Sequence, residues 1–332
     1  MENKRFVKIK YDKFKLKTIE NNPDDIYISC ISYESRTLGV LKKLSKEYKC
    51  NLGLFIFNKK FKHLNKVKKH YELIEKIINN KEIFLEKKEL DCSIENPVRT
   101  ILQIDKSFKN LSKNNNYDKK LNITLDISTF PRGELLSILF YLRNLKNIES
   151  LRILYISPKD YGIWLSKGYK RSIIPPFFEG PPTFEKKVGL LIITGFEDER
   201  PLELIDDIEP SFLILGRSNP GTSDIFSKFN KEIVDKINSR RKIESVIKDI
   251  PTDNPFDCKI KIKEIINEYS EKYNFYITSL ITKLSVLGTF LAYEEMKNEP
   301  NFRLIYPIPI VYNIKDYSTG CRDVYQIIFN NH

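Results

Sequence analysis

The sequence predicts an α/β protein of two tandem Rossmann-like units with mostly parallel sheets, arising from an internal duplication. Three observations carry that expectation. Residues 122–141 (NITLDISTFPRGELLSILFY) run from an apolar strand into a polar cluster and then into an amphipathic helix. That pattern brings polar groups to the mouth of a helix in an α/β sheet, where ligands tend to bind. Residues 276–293 (YITSLITKLSVLGTFLAY) repeat the pattern about 150 residues later. Strand-end motifs then recur in one order along both halves, as a duplication requires.

Composition agrees with this architecture. At 332 residues, 41% hydrophobic and 30% charged, the chain is long enough for two cores and too apolar for disorder. No apolar run approaches the ~20 residues of a membrane helix, and residues 1–16 are polar and Lys-rich without a signal-peptide core. A cytoplasmic protein without a membrane partner is expected. Cys30, Cys50, Cys92, Cys258 and Cys321 are scattered without CxxC spacing, which suits free thiols. Neither a structural metal nor a cofactor is expected, because only three histidines occur and His63 with His70 is a poor zinc spacing. Net charge is +12, unevenly spread: residues 188–332 hold 18 basic against 22 acidic residues, and residues 1–187 hold 38 against 22. A half at +16 favours nucleic acid, nucleotides or an acidic partner, although lysines spread over helices also serve simply as solvated faces.

In chain order, residues 1–23 are polar with a weak apolar alternation (Phe6, Val7, Ile9) that fits an edge strand. Residues 25–31 form a strand by their β-branched and aromatic content, followed by a helix with Leu38, Leu41 and Leu44 on one face. A strand over 51–57, a helix over 63–79, a short strand over 82–86 and a helix over 97–111 come next. A polar loop (113–120) leads to the strand at 123–127, the helix at 133–142 and a strand at 151–157. Residues 172–187 contain Pro175, Pro176, Pro181 and Pro182 and read as a linker, so the expected units are 1–172 and 188–332 around a linker at 173–187. The second unit offers strands at 188–194 and 210–216, helices over 225–250 and 258–273, the 276–293 segment and a final stretch from 302.

The recurring motifs nominate the site. Tyr33-Glu34 with Arg36 matches Phe196-Glu197 with Arg200 after the first strand of each unit. Asp126, Ser128, Thr129 and Arg132 match Ser279, Thr282 and Lys283 at the central turn. Tyr161 with Ser166, Gly168 and Lys170 matches Tyr312 with Ser318, Gly320 and Arg322. Strand ends converge on one edge of a parallel sheet, so each set is expected to line one cleft of its own unit. Hydroxyls, helix-start N–H groups and cations suit a phosphate, and Tyr161 or Tyr312 can stack on a base. The same residues have plainer uses. Glu34 and Glu197 can pair with Arg36 and Arg200, and Asp126 can cap its helix. Ser128 and Thr129 are ordinary turn residues, and Gly168 and Gly320 can simply permit a positive φ. No GxSxG, HExxH, GxGxxG or P-loop motif is present, so acid/base chemistry would fall to Glu34, Asp126 or Glu197.

Asp126-Ile127-Ser128-Thr129-Phe130-Pro131-Arg132-Gly133 resembles the signature of CARF domains, the Rossmann-like sensors of cyclic oligonucleotides in prokaryotic antiviral defence. Ser279-Leu280-Ile281-Thr282-Lys283 is similar to the same signature, and two fused copies resemble a SAVED domain. The resemblance implies a nucleotide or oligonucleotide signal as ligand and a separate effector protein chain. Three function classes stay open: such a sensor, a scaffold subunit of a defence complex whose basic half docks nucleic acid or an acidic protein, and a nucleotide- or nucleic-acid-cleaving enzyme using the same clefts.

Overall fold

Strands buried on both faces carry no polar alternation, and the continuous apolar runs of this chain accordingly form the inner strands of two parallel sheets. The computed structural model describes residues 8–15, 19, 24–115, 120–180, 183–221, 223–240, 242–297 and 302–330. Contacts group the chain into two units: Met1–Ile163 with Ile314–His332, and Trp164–Asn313.

Unit 1 begins with β1 (Lys8–Lys15) and β2 (Asp24–Ile31), then a 3-10 turn over Ser35–Leu38 that runs into α1 (Gly39–Lys43). It continues through β3 (Cys50–Asn58), α2 (Asn65–Lys81), β4 (Phe84–Cys92) and α3 (Pro97–Asn115). Next are β5 (Leu121–Asp126), α4 (Arg132–Asn144), β6 (Ile148–Ile156) and β7 (Asp160–Tyr161). Unit 2 opens with β8 (Ser166–Lys167), β9 (Arg171–Ile173), β10 (Lys187–Ile193) and α5 (Glu199–Ile208). It continues through β11 (Phe212–Ser218), α6 (Asp224–Arg240), β12 (Ser245–Ile250) and α7 (Pro255–Tyr269). Then come β13 (Tyr273–Ser279), α8 (Lys283–Met296), β14 (Phe302–Leu304), β15 (Tyr306–Ile308) and β16 (Val311–Tyr312). The chain returns to unit 1 for β17 (Ser318–Thr319) and β18 (Asp323–Asn330).

The unit 1 sheet runs β1-β18-β6-β5-β2-β3-β4, and the unit 2 sheet runs β12-β11-β10-β13-β14. Pairings from β6 to β4 are parallel, as are all those of the five-stranded unit 2 sheet, whereas β18 lies antiparallel between β6 and β1. Counted from β2 and from β10, both parallel cores have the strand order 3-2-1-4-5. Asp126 and Ser279 therefore end equivalent strands, beside the point where the order reverses and α/β crevices open. At the opposite, amino edge of unit 1, Arg152 donates to Asp24 (2.5 Å) and to Thr124 (2.8 Å), and Tyr48 also donates to Asp24, in a fully buried network.

Several expectations are corrected. The segment 173–187 is no free linker, and the units do not divide there. β9 pairs with β15, Phe178 is buried against Phe290 and Tyr293, and Asn274 donates to the carbonyls of Thr183 and Lys186. A buried aromatic and a strand pairing outweigh the prolines; Pro181 and Pro182 lie outside the described residues. Helix 225–250 stops at Arg240, and Ser245–Ile250 is an edge strand whose half-buried faces weaken its alternation. The helix expected over 258–273 ends at Tyr269, and Tyr273 already belongs to β13. The short strand at 82–86 is the longer β4, a sheet edge whose Lys and Glu side chains face water and discourage further pairing. α3 reaches Asn115, into the expected loop. An edge strand does form near the start, as β1; Phe6 and Val7 lie outside the described residues.

Candidate functional site

The carboxyl edge of unit 1 is organised by Asp126, the last residue of β5. Its Oδ1 accepts from the Ser128 amide (2.9 Å) and hydroxyl (2.5 Å), and the Tyr27 hydroxyl approaches Oδ2 at 3.4 Å. Asp126 is not the helix cap: Pro131 holds that position, and no side chain caps α4. The carboxylate instead folds the turn back on itself in the manner of an Asx turn. Ser128 Oγ also accepts from the Ile156 amide (3.0 Å), and Thr129 Oγ1 donates to the Cys30 carbonyl (2.6 Å), so the turn is tied to β6 and β2. Burial pushes the Asp126 carboxyl up to about 6, against the opposing hydrogen bonds from Ser128 and the charge of Arg36.

Beside it, Arg36 is buried with its charge already matched. Nη2 and Nε donate to Glu34 Oε2 (2.5 and 3.2 Å), and Nη1 donates to the Ile156 carbonyl (3.0 Å). Ser318 Oγ donates to the same Glu34 oxygen (2.6 Å). Burial works against the guanidinium charge, but Glu34 more than offsets it and holds the Arg36 pKa above its ordinary value. Tyr161 stands close enough to feel Arg36, Arg132 and Glu34; burial and then Tyr155 push its hydroxyl pKa up.

Unit 2 repeats the arrangement. Arg200 donates to Glu197 and to the Pro307 carbonyl (3.3 Å), and Ser166 Oγ donates to both Glu197 oxygens (2.7 and 2.9 Å). The Gly168 amide donates to Glu199 (2.9 Å), and the Lys170 amide to the Ile308 carbonyl (2.9 Å). The serine of the third motif is thus exchanged relative to the linear expectation. Ser166 bonds the Glu197–Arg200 pair of unit 2, while Ser318 bonds the Glu34–Arg36 pair of unit 1. The cause is backbone pairing: Ser166 sits opposite Tyr312 in the β8–β16 ladder, and Ser318 opposite Tyr161 in β7–β17. Gly168 (φ 68°) and Gly320 (φ 61°) take the left-handed conformation that each turn needs.

The central turn of unit 2 replaces the carboxylate with hydroxyls. Ser279 Oγ bonds Ser285 Oγ (2.7 Å), and Thr282 caps α8 in a reciprocal box with Ser285. Thr282 Oγ1 also lies 2.8 Å from the Thr252 carbonyl it donates to, and Thr252 Oγ1 meets Ser218 Oγ at 2.5 Å. Sequence reasoning passed over Ser285, Thr252 and Ser218. The spacing of Ser285 three residues after Thr282 was the available signal.

Arg36 and Arg200 each take the plainer role of partner in an internal ion pair. The cations at the two helix starts are Arg132 and Lys283, both largely buried. Lys170 is exposed, and Arg322 is half-buried with its Nε 3.4 Å from Asp323. One further residue was missed. Glu134, in the first turn of α4, is buried, and nothing but the Cys92 thiol approaches its carboxyl oxygens as a hydrogen-bonding group. Burial pushes it up to about 7, against the nearby Cys92 thiol. Its place two residues after Arg132, at the head of an apolar helix, could have marked it for burial. Among the described residues no group of three or more His, Cys, Asp or Glu could hold a metal ion, and no helix is long and apolar enough to cross a membrane.

No protein-family model and no curated protein matches the chain. Among solved structures, it is similar at a TM-score of 0.25 and 10% identity to a chain described as the adenylation, ketoreductase and pseudo Asub multidomain structure of a keto acid-selecting NRPS module. The similarity covers 88% of this chain and 31% of that one, and at this level it carries no argument about fold or function.

Proposed function

We propose that the chain is a CARF/SAVED-like sensor that binds a nucleotide signal of the cyclic-oligonucleotide type and acts on an effector in another chain. An internal duplication, the simplest source of the shared 3-2-1-4-5 order, belongs to the same proposal. The observation that carries it is the placement of Arg132 and Lys283. Each is the first residue of the helix that follows strand four, at the carboxyl edge beside the switch point. Helix-start N–H groups and a cation together suit a phosphate. α4 suits it better than α8, because Thr282 already caps α8 whereas no side chain caps α4. Mass spectrometry of small molecules released from the denatured protein identifies the ligand, and calorimetric titration then tests the site. Arg132→Ala is expected to remove a charge-assisted contact of about 1.5–3 kcal/mol, roughly tenfold to a hundredfold in affinity. Lys283→Ala is expected to lose less. Normal binding by both variants, or loss of fold in place of loss of ligand, refutes the sensor.

The scaffold reading has one observation in its favour. The Glu34–Arg36–Ser318 and Glu197–Arg200–Ser166 clusters spend their hydrogen bonds inside their own units, as residues that hold a shape do. A protein that purifies without any small molecule, and binds none of the cyclic oligonucleotides, would support it.

A further inference from the structure

The turn after β3 and the first turns of α2 carry an unusual run of charge. Residues 59–70 contain Lys59, Lys60, Lys62, Lys66, Lys68 and Lys69 and no acidic residue. All six lysines are exposed, and the run starts at the carboxyl end of β3. Elsewhere the lysines of this chain commonly sit in ion pairs, as Lys87 does with Glu75, Lys248 with Glu268, and Lys259 and Lys263 with Glu295. In this run Lys62 pairs with Glu89 and Asp91. Lys66 Nζ points at the Ile314 and Lys315 carbonyls (3.4 and 3.0 Å), which leaves its charge without a counter-charge there. Lys59, Lys68 and Lys69 form no ion pair among the described residues. Burial lowers the pKa of His70, whose Nδ1 lies 2.8 Å from the Ser32 carbonyl, so this histidine adds little to the positive charge of the patch.

We infer that this surface binds the phosphodiester backbone of a nucleic-acid duplex, independently of any ligand at the strand-four helices. Lysine supplies a point charge without the planar fork that reads bases or carboxylates in a fixed geometry, which suits sequence-independent backbone contact. Of the apolar residues within the run, Phe61 and Val67 are buried and Leu64 is half-buried. The patch therefore offers no aromatic platform for unstacked bases and no exposed anchor of the kind that dominates protein–protein contacts. Lys66 and Lys69 lie three apart on one side of α2, with Lys59 and Lys60 on the turn before it, so the charges form a short row instead of a point.

Fluorescence anisotropy with labelled 20-base-pair DNA and RNA duplexes, between 50 and 200 mM salt, tests the inference. Binding in the range of about 10⁻⁶ to 10⁻⁴ M is expected, with log K falling against log salt by about 0.9 per phosphate contact. DNA and RNA duplexes should bind within a few-fold of each other. Lys59→Glu/Lys60→Glu and Lys68→Glu/Lys69→Glu should each weaken binding at least tenfold and flatten the salt slope by about two. Lys228→Glu/Lys231→Glu, on the exposed face of α6, should change binding less than twofold. Absence of binding at 50 mM salt, salt-independent binding, or equal loss in the α6 variant overturns the inference. So does tighter binding of a 20-residue polyglutamate peptide, which would assign the patch to an acidic protein. Circular dichroism of each variant confirms that the exposed substitutions leave the fold intact.

Discussion

Units 1 and 2 share a strand order and an ion-pair motif but close their carboxyl edges with different chemistry. In unit 1, strand four ends in a carboxylate, Asp126, and the third residue of the next helix is a second buried carboxyl, Glu134. In unit 2 the corresponding positions are Ser279 and Ser285, which hydrogen-bond each other and complete the cap of α8. The hydroxyl version is neutral and closed at every pH. The carboxyl version leaves α4 without a side-chain cap and places groups at its start whose charge depends on pH. A shared strand order thus tolerates either solution.

The sharpest way to break this comparison is at the ion pairs, where the two units should differ only in degree. Arg36→Ala strands Glu34 in a nearly inaccessible site and should cost about 3–5 kcal/mol. Arg200→Ala leaves Glu197 more exposed, and the carboxylate can recruit water, so roughly half that loss is expected. Urea unfolding followed by circular dichroism measures both, and a greater loss for Arg200→Ala would invert the ranking.

Next in size is the pH dependence that unit 1 alone should carry. Glu134 is pushed up to about 7 from an ordinary value of 4.5. Between those values the folded chain keeps a proton that the unfolded chain has released. The unfolded state therefore binds fewer protons, and stability falls as pH rises through the window, by at most about 3 kcal/mol. Asp126, raised from 3.8 to about 6, adds to the fall at the acidic end with the same sign. Glu134→Gln should gain stability relative to the parent as pH rises from 5 to 8, by urea midpoints at each pH. Parallel curves for the two proteins would show that Glu134 finds a partner on ionisation.

The smallest effect concerns the two left-handed glycines, where the units should behave alike. Gly320→Ala should cost about 1 kcal/mol for its backbone conformation. Gly168→Ala should cost slightly more, since its new Cβ would stand 2.8 Å from Ile310 Cδ1, against 3.1 Å from Lys159 Cβ at Gly320. Thermal melting resolves a difference of this size, and an unchanged Tm in both variants would remove the turns from the shared design.

Local chemistry was legible in the sequence, and partners were not. The 122–141 and 276–293 segments announced a strand, a polar turn and a helix because apolar period and polar interruption are properties of neighbouring residues. Both fall on strand four of the same order. The pairing of Glu34 with Arg36, and of Glu197 with Arg200, was also readable as the plainer use of those residues. What could not be read was which unit each closing turn would serve. Ser318 reaches Glu34 from 284 positions away, and only backbone register fixes that contact. Ser245–Ile250 was mistaken for helix because an edge strand half-buried on both sides lacks a clean period of two. Glu134 escaped notice since its neighbour, the Cys92 thiol, comes from another element, which no spacing reveals.

The position of β18 has a consequence for how the protein comes into being. Lys8 stands opposite Asn330 and Ser150 opposite the same residue, so β18 is the plank between the first strand of the chain and β6. A ribosome adding about 5–20 residues per second needs roughly ten to thirty seconds to travel from β6 to β18. During that interval β6 presents an unfilled edge while unit 2, Trp164–Asn313, is being made. The second-made unit is free to finish before the first. The nascent chain carries an open strand edge for the whole of that delay, which makes β6 a place where a chaperone, or a neighbouring nascent chain, can pair with this protein.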